Sequence, residues 1–192
     1  MIIERPFYAR DTVKVAQELL GKILVRVISD NILTAMIVET EAYKSFDDPA
    51  SHSYKGLTKR NKPMFGEVGY SYVYFTYGNH YCFNIVAKDE KSSAGAVLIR
   101  AVEPLSGIEI MKKKRGVDDI YKLTSGPGRL TQALSIDKSL NEIDLTRECE
   151  LYVINGYDIP IDKIESASRI GIRDALDKQW RFYIKDNPFV SR

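Results

Sequence analysis

Two glutamates that follow an apolar run are the residues best suited to acid–base chemistry in this sequence. Residues 33–38 predict a buried strand, and Glu39 and Glu41 come directly after it. Because side chains alternate along a strand, both carboxylates should lie on one face, with Tyr43 next in the same row. A carboxylate there could activate a water molecule or stabilise positive charge on a sugar ring. The spacing does not separate Glu39 from Glu41, and a carboxylate at a strand end is more often a salt-bridge partner.

A long polar loop, residues 44–69, follows the glutamates. Loops of this length in compact domains are usually functional or mobile. His52 lies in this loop and could form a hydrogen-bonding wall over the glutamates, although a single loop histidine is more often solvated. Residues 55–62 contain four basic residues and no acidic one. That composition is compatible with contact to phosphates and equally with an ordinary solvated surface loop.

Two aromatic-rich runs, residues 70–76 and 81–88, predict the strands of a β-hairpin. Alternate tyrosines of the first run should share one face, where most such residues serve packing between strands. Tyr77 falls at the hairpin tip, and an exposed aromatic side chain there could act as a wedge that unstacks bases. Asn84 lies among apolar neighbours and needs a specific partner, because an unpaired buried amide costs about 1–3 kcal/mol.

The composition describes an ordinary globular protein. Of its 192 residues, 44% are hydrophobic and 28% are charged, which excludes a disordered or fibrous chain. The formal net charge of +2 is too small to indicate a polyanionic partner by itself. The two cysteines, Cys82 and Cys149, are far apart and show no disulfide framework or zinc-ligand spacing. The sequence shows no signal-peptide pattern and no apolar run near the ~18 residues of a spanning helix, so we expect a cytoplasmic protein without membrane contact.

The elements predict one α+β domain over residues 1–192, built on a mostly antiparallel sheet. Asp11 should cap a helix that Gly21 ends. Further helices are expected over residues 107–114 and after Ser125-Gly126-Pro127, and weak helical character over residues 164–169. Beyond the hairpin, strands are expected at residues 22–29, 32–40, 96–102 (closed by Glu103-Pro104), 150–154 and 181–185.

Taken together, these features resemble the alkyladenine DNA glycosylase family, also called 3-methyladenine DNA glycosylases of the mammalian type. The similar blocks run in family order along most of the chain. They are Val38-Glu39-Thr40-Glu41-Ala42-Tyr43, Ala50-Ser51-His52-Ser53, Thr58-Lys59-Arg60-Asn61, Met64-Phe65, Tyr72-Val73-Tyr74-Phe75-Thr76-Tyr77-Gly78, Cys82-Phe83-Asn84-Ile85, Leu98-Ile99-Arg100-Ala101-Val102-Glu103-Pro104, Ser125-Gly126-Pro127 and Arg181-Phe182-Tyr183-Ile184.

The resemblance implies a role for each matched position. Glu41 is similar to the general base that activates the attacking water. Asn84 resembles the residue that disfavours normal guanine by meeting its 2-amino group, and Tyr77 resembles the side chain that fills the place of the flipped base. The residues expected to bind the flipped base are Tyr43, His52, Tyr74, Asn84 and Leu98. The residues expected to bind DNA are Tyr77, Thr58, Arg60, Arg100 and Met64.

The resemblance also implies a curved sheet flanked by helices, with a protruding hairpin that inserts into DNA. The expected activity is monofunctional base excision, with neither a metal nor another cofactor. The expected substrate is double-stranded DNA that contains a damaged purine: 3-methyladenine, 7-methylguanine, hypoxanthine or ethenoadenine. The expected form is a bacterial, nucleoid-associated monomer that needs no obligate protein partner.

Two other functions remain possible from the residues alone. The same carboxylates could serve a hydrolase of free nucleosides, although such a substrate needs neither the basic loop nor an aromatic hairpin tip. Alternatively, the chain could be a nucleic-acid-binding module without catalytic activity, in which Glu41 is structural.

Overall fold

A curved antiparallel sheet carries most of the chain. The computed structural model describes residues 1–76 and 78–191. In those residues the strands are β1 (Ile23–Ile28), β2 (Asn31–Tyr43), β3 (Ser71–Thr76), β4 (His80–Val86), β5 (Ala96–Ser106), β6 (Leu151–Ile154), β7 (Ile164–Ala167) and β8 (Arg181–Ile184). The α-helices are α1 (Arg5–Tyr8), α2 (Thr12–Glu18), α3 (Lys62–Phe65), α4 (Ile108–Arg115) and α5 (Pro127–Ala133). The predicted α+β class is confirmed.

Strand β2 is the centre of the sheet. The order is β3-β4-β5-β2-β1-β6, and β8 also pairs with β2 and with β7. The first part of β2 pairs with β1, whereas its end, at Glu39, Thr40 and Glu41, pairs with β8. Two different strands therefore share one edge of β2, and the sheet bends around the segment that carries the glutamates.

Helix α2 packs against the sheet behind those glutamates. The side chain of Asp11 accepts hydrogen bonds from the backbone N–H groups of Val13 and Lys14, as predicted for an N-cap. Thr40, between the two glutamates in sequence, donates its hydroxyl proton to the carbonyl of Ala16 at 2.7 Å. Thr40 thus faces the helix. The glutamates face the opposite side, because neighbouring residues of a strand alternate.

Two predicted elements were wrong. Residues 164–169 do not form a helix, because Ile164–Ala167 is strand β7, which pairs with β8 along its length. Pairing within the sheet outweighs the weak local preference. Strand β5 does not end before Glu103-Pro104 but continues to Ser106. Pro104 is tolerated there because the register shifts between Thr34 and Ala35 on β2, and such irregularities accommodate a missing N–H.

The predicted hairpin strands are confirmed, since β3 and β4 pair from Ser71↔Ile85 to Thr76↔His80. Insertion of this hairpin into DNA stays a prediction, and Tyr77 lies outside the described residues. Within the described ranges, no helix has the length and apolar character needed to cross a membrane.

Candidate active site

A row of paired residues across four strands forms the base of a cavity. Tyr72 on β3 pairs with Asn84 on β4, Asn84 with Leu98 on β5, and Leu98 with Glu41 on β2. Tyr72, Asn84 and Leu98 line a cavity of about 350 Å³. That volume is within the usual range of small-molecule sites and is large enough for a purine. The cavity therefore opens on the glutamate side of the sheet.

The residues expected to bind a flipped base come together at this cavity. All five, Tyr43, His52, Tyr74, Asn84 and Leu98, line it. The remaining walls come from the long loop, from the hairpin, from β5, from the start of α5 and from the segment before β8. They include Ala50, Met64, Thr76, His80, Cys82, Arg100, Pro127, Ile170, Gly171 and Ile172. Binding of a base by these residues stays a prediction.

Aromatic rings form one wall of the cavity. The rings of Tyr72 and Tyr74 lie 5.1 Å apart, and His52 meets Tyr74 edge to face at 4.8 Å. Nδ1 of His52 is 3.1 Å from the hydroxyl of Tyr72, within hydrogen-bond distance. His52 is partly exposed, but desolvation at the cavity wall, together with the charge of Arg60, lowers its pKa. The imidazole is therefore neutral at pH 7 and presents an uncharged ring to the cavity.

Glu41 is fully buried and has well-defined partners. The hydroxyl of Tyr43 donates to Oε2 at 2.6 Å, and the backbone N–H of Ile170 donates to Oε1 at 2.7 Å. A guanidinium nitrogen of Arg100 lies 3.4 Å from Oε1. Burial raises the pKa of Glu41, and the charge of Arg100 opposes that rise. The carboxylate does not itself line the cavity, but Tyr43, Arg100 and Ile170 contact it and do.

Glu39 is surrounded by positive charge instead. Its Oε1 lies 3.2 Å from Nε of Arg100 and 3.1 Å from a guanidinium nitrogen of Arg181. Its Oε2 accepts the backbone N–H of Ser191 at 2.7 Å. Glu39 is not among the described residues that line the cavity. This environment distinguishes Glu39 from Glu41, which the spacing alone could not do.

A β-bulge directs Arg100 towards both glutamates. Glu39 pairs with Ala101 and Thr40 with Ile99, so Arg100 is the extra residue of β5 at this point. Bulges commonly redirect a side chain near a functional site. Arg100 is 7% exposed and contacts Glu39 and Glu41 while it lines the cavity.

The residues expected to bind DNA differ in their surroundings. Arg60 is exposed, and its guanidinium lies 4.9 Å from the ring centre of Tyr74. Thr58 is also exposed. Met64 is 2% exposed and lies in the cavity wall. Their contacts with DNA stay predictions.

The sequence did not indicate the segment that supplies Ile170, Gly171 and Ile172. Ile170 bonds to Glu41 across 129 positions of sequence, and no periodic pattern links the two. Asn61 was also missed as an organiser of the loop: its amide donates to the carbonyls of His52 and Gly56, at 2.8 and 2.9 Å. An asparagine in a turn-rich loop is too common to have revealed that role.

Comparison with known proteins decides the family. A model of the methylpurine-DNA glycosylase family matches residues 6–188. The chain belongs to the methylpurine-DNA glycosylase family.

Three relatives carry the name "Putative 3-methyladenine DNA glycosylase". The relative from Carboxydothermus hydrogenoformans is 50% identical over 192 residues, which cover both chains completely. The relative from Chlorobium phaeobacteroides is 48% identical over 192 residues, covering 100% of this chain and 97% of its own. The relative from Natranaerobius thermophilus is 44% identical over 197 residues, covering 100% of this chain and 99% of its own.

Membership of the methylpurine-DNA glycosylase family makes the chain a DNA glycosylase, a hydrolase that acts on N-glycosyl bonds. In the described residues, no group of three or more His, Cys, Asp or Glu side chains could hold a metal ion.

Proposed function

We propose that this glycosylase turns an alkylated or deaminated purine out of duplex DNA into the cavity and hydrolyses its N-glycosidic bond. The substrate class comprises 3-methyladenine, 7-methylguanine, hypoxanthine and ethenoadenine. The observation that carries the proposal is a buried carboxylate, Glu41, whose partners line a purine-sized cavity with aromatic walls. The enzyme acts as a monomer on the DNA of the nucleoid and leaves an abasic site.

The cavity can offset the cost of base flipping. Extrusion of a base costs a few kcal/mol, least for a damaged pair. Stacking on an aromatic side chain returns about 1–3 kcal/mol per base. The base stacks on the aromatic walls that Tyr43, His52 and Tyr74 contribute to the cavity. Because His52 is neutral, it does not repel an alkylated purine that carries a positive charge.

Asn84 supplies selectivity against normal guanine. It is 4% exposed, and its amide donates a hydrogen bond to the carbonyl of Tyr72 at 3.0 Å. This bond fixes the orientation of the amide at the base of the cavity. The 2-amino group of guanine then meets a side chain that cannot turn away, whereas 3-methyladenine, hypoxanthine and ethenoadenine lack that group. 7-Methylguanine keeps the 2-amino group, and its release depends instead on the positive charge of the alkylated base, which makes it a better leaving group than guanine.

Glu41 acts on the water and on the sugar. The bond between C1′ and the base nitrogen breaks, and its electron pair leaves with the base. A cationic alkylated purine departs as a neutral base, whereas hypoxanthine and ethenoadenine take up a proton from water as they leave. The oxygen of a water molecule bonds to C1′, and the carboxylate of Glu41 takes the proton of that water. Burial strengthens Glu41 as a base by raising its pKa, while the charge of Arg100 opposes that rise. Tyr43 and Arg100 contact both the carboxylate and the cavity, and they therefore connect Glu41 with the space that holds the base.

Contacts outside the cavity hold the duplex. Tyr77 fills the space that the flipped base leaves, as the family resemblance implies. Arg60 lies beside Tyr74, which lines the cavity, and with Thr58 it contacts the DNA backbone. Phosphate contacts of this kind orient a duplex without reading its sequence.

An excision assay over a panel of lesion-bearing duplexes tests this function. Wild-type protein is incubated with each duplex, with an undamaged duplex and with free deoxyinosine, and released bases are measured. We expect release from one or more lesions, strand breakage only after alkali, and no cleavage of free deoxyinosine. Failure to release any lesion would contradict the proposal, and cleavage of deoxyinosine as fast as the duplex lesion would favour a nucleoside hydrolase.

A further inference from the structure

A second buried ion pair lies behind the cavity, outside the chemistry described above. Asp48, in the long loop, and Arg169, between β7 and β8, have fully buried side chains. Two guanidinium nitrogens of Arg169 donate to the two carboxylate oxygens of Asp48, each at 2.6 Å. Neither residue lines the cavity within the described part of the chain. Such a pair is expensive to bury, and apolar residues of similar size often give equal or greater stability.

The guanidinium of Arg169 supports the ring of Tyr43. It lies 4.6 Å from the centre of that ring, a cation–π distance, and 5.3 Å from the ring of Trp180. It also donates to the carbonyl of Ala42 at 2.8 Å. Tyr43 lines the cavity and Arg169 does not, so the guanidinium contacts the ring without occupying the cavity.

Arg169 also fixes the backbone that bonds to Glu41. The next residue, Ile170, donates its N–H to Oε1 of Glu41 at 2.7 Å and lines the cavity. Arg169 ties this segment to β2 through Ala42 and to the loop through Asp48. A shift of Arg169 would therefore move the ring of Tyr43 and the N–H of Ile170 together.

Asp48 connects the same pair to the loop that carries His52. Its carboxylate accepts the backbone N–H of Lys44 at 3.0 Å, and its carbonyl accepts the N–H of Ser51 at 2.9 Å. Ser51 immediately precedes His52 in the sequence. The pair thus joins three parts of the cavity wall: the end of β2, the loop, and the segment before β8.

We propose that Asp48 and Arg169 are positioning residues that align Tyr43 for stacking on the flipped base and hold the N–H of Ile170 on the carboxylate of Glu41. The proposal rests on the function proposed above. Neither residue touches the substrate. Their effect on the rate arises because small displacements of catalytic groups are costly, up to about 100-fold for 1 Å.

A neutral double variant, Asp48→Asn/Arg169→Gln, separates positioning from folding. It leaves no unpaired buried charge, keeps an acceptor for the N–H of Lys44, and removes the cation from the ring of Tyr43. We expect a cooperative thermal transition near that of the wild type. We also expect the single-turnover release of hypoxanthine from duplex DNA to fall roughly tenfold at saturating protein.

The pH dependence of the excision rate provides a second measurement, which should not change if Asp48 and Arg169 only stabilise the fold. The hydrogen bond from Ile170 lowers the pKa of Glu41, as do Arg100 and Tyr43, whereas Glu39 raises it. The charge of Arg169 also interacts with Glu41, and the double variant removes that charge together with the opposite charge of Asp48. Loss of the Ile170 bond should therefore shift the acid limb of the pH–rate profile to higher pH. The control is Arg5→Gln/Asp144→Asn, which changes a less buried arginine–aspartate pair, 2.9 Å apart, whose two residues do not line the cavity. It should keep the wild-type rate and acid limb.

The possible outcomes are distinct. A rate within threefold of the wild type, an unchanged acid limb, or an equal loss in the control would overturn the proposal. If the double variant does not fold, Arg169→Lys replaces it. A lysine keeps the positive charge but cannot donate to both carboxylate oxygens of Asp48 through a planar guanidinium. A decrease in the excision rate of less than threefold in that variant would again overturn the proposal. Absence of excision by the wild type would instead contradict the proposed function.

Discussion

Glu39 and Glu41 lie two positions apart on β2, face the same side and are both fully buried, yet their surroundings differ. Glu39 contacts two arginines and a backbone N–H, and its partners include Ser191 near the end of the chain. Glu41 shares one of those arginines, and its closest partners are the uncharged donors of Tyr43 and Ile170.

Under the proposed mechanism, this difference gives the two carboxylates of one strand separate roles, structural for Glu39 and catalytic for Glu41. Two guanidinium groups compensate the buried charge of Glu39, so that Glu39 fixes Arg100 and β8 in place. Glu41 has less compensating charge, and burial raises its pKa. A carboxylate held in this way accepts a proton more readily than an exposed one. The surroundings, and not the residue type, assign the two roles.

Removal of the shared arginine should have a large effect on chemistry. In Arg100→Gln, the pKa of Glu41 should rise further, because the charge of Arg100 lowers it. Less Glu41 is then ionised at pH 7, and we expect excision to fall by about 10²-fold, with partial recovery as the pH rises. A pH–rate profile of single-turnover excision measures this change. An acid limb that stays in place would separate Arg100 from the titration of Glu41.

Neutralisation of Glu39 should damage stability more than chemistry. Glu39→Gln leaves Arg181 without its carboxylate partner, and breaking a buried ion pair costs about 3 kcal/mol or more. For a chain of this size that corresponds to a decrease in Tm of roughly 6–12 °C. Thermal unfolding followed by circular dichroism provides the measurement. An unchanged Tm would remove the structural role that we assign to Glu39.

Loss of a single hydroxyl should produce an effect of about tenfold or less. Tyr43→Phe keeps the ring for stacking but removes the bond that lowers the pKa of Glu41. The rate should fall roughly tenfold below neutral pH and approach the wild-type rate at higher pH, with lesion affinity preserved. Parallel measurement of excision and of lesion binding checks both statements. A pH-independent loss would indicate that the hydroxyl acts on the substrate instead.

The smallest effect on the damaged substrate should come from the base of the cavity. Asn84→Ala leaves both glutamates in place, so excision of hypoxanthine should remain within about threefold of the wild type. Slow release of normal guanine should increase, because the amide no longer meets the 2-amino group. Release of guanine from undamaged duplex tests this expectation. If guanine release stays the same, selectivity must reside elsewhere in the site.

The sequence could predict features that depend on local periodicity. Strict alternation placed both glutamates on one face of β2, and the aromatic runs gave the pairing of β3 with β4. The sequence alone could not assign different roles to Glu39 and Glu41, because the residues that distinguish them come from the last quarter of the chain. These residues are Arg181, Ser191 and Ile170. Strand β7 was mistaken for a helix for the same reason, since its conformation depends on pairing with β8.

The most direct test compares Glu41→Gln with Glu39→Gln in single-turnover release of hypoxanthine from duplex DNA, at saturating protein and below the Tm of both variants. We predict that Glu41→Gln loses about 10²–10⁴-fold in rate while it binds lesion DNA as the wild type does, and that Glu39→Gln loses much less. Equal rates for Glu41→Gln and the wild type, or a larger loss in Glu39→Gln, would contradict the assignment of Glu41 as the catalytic base.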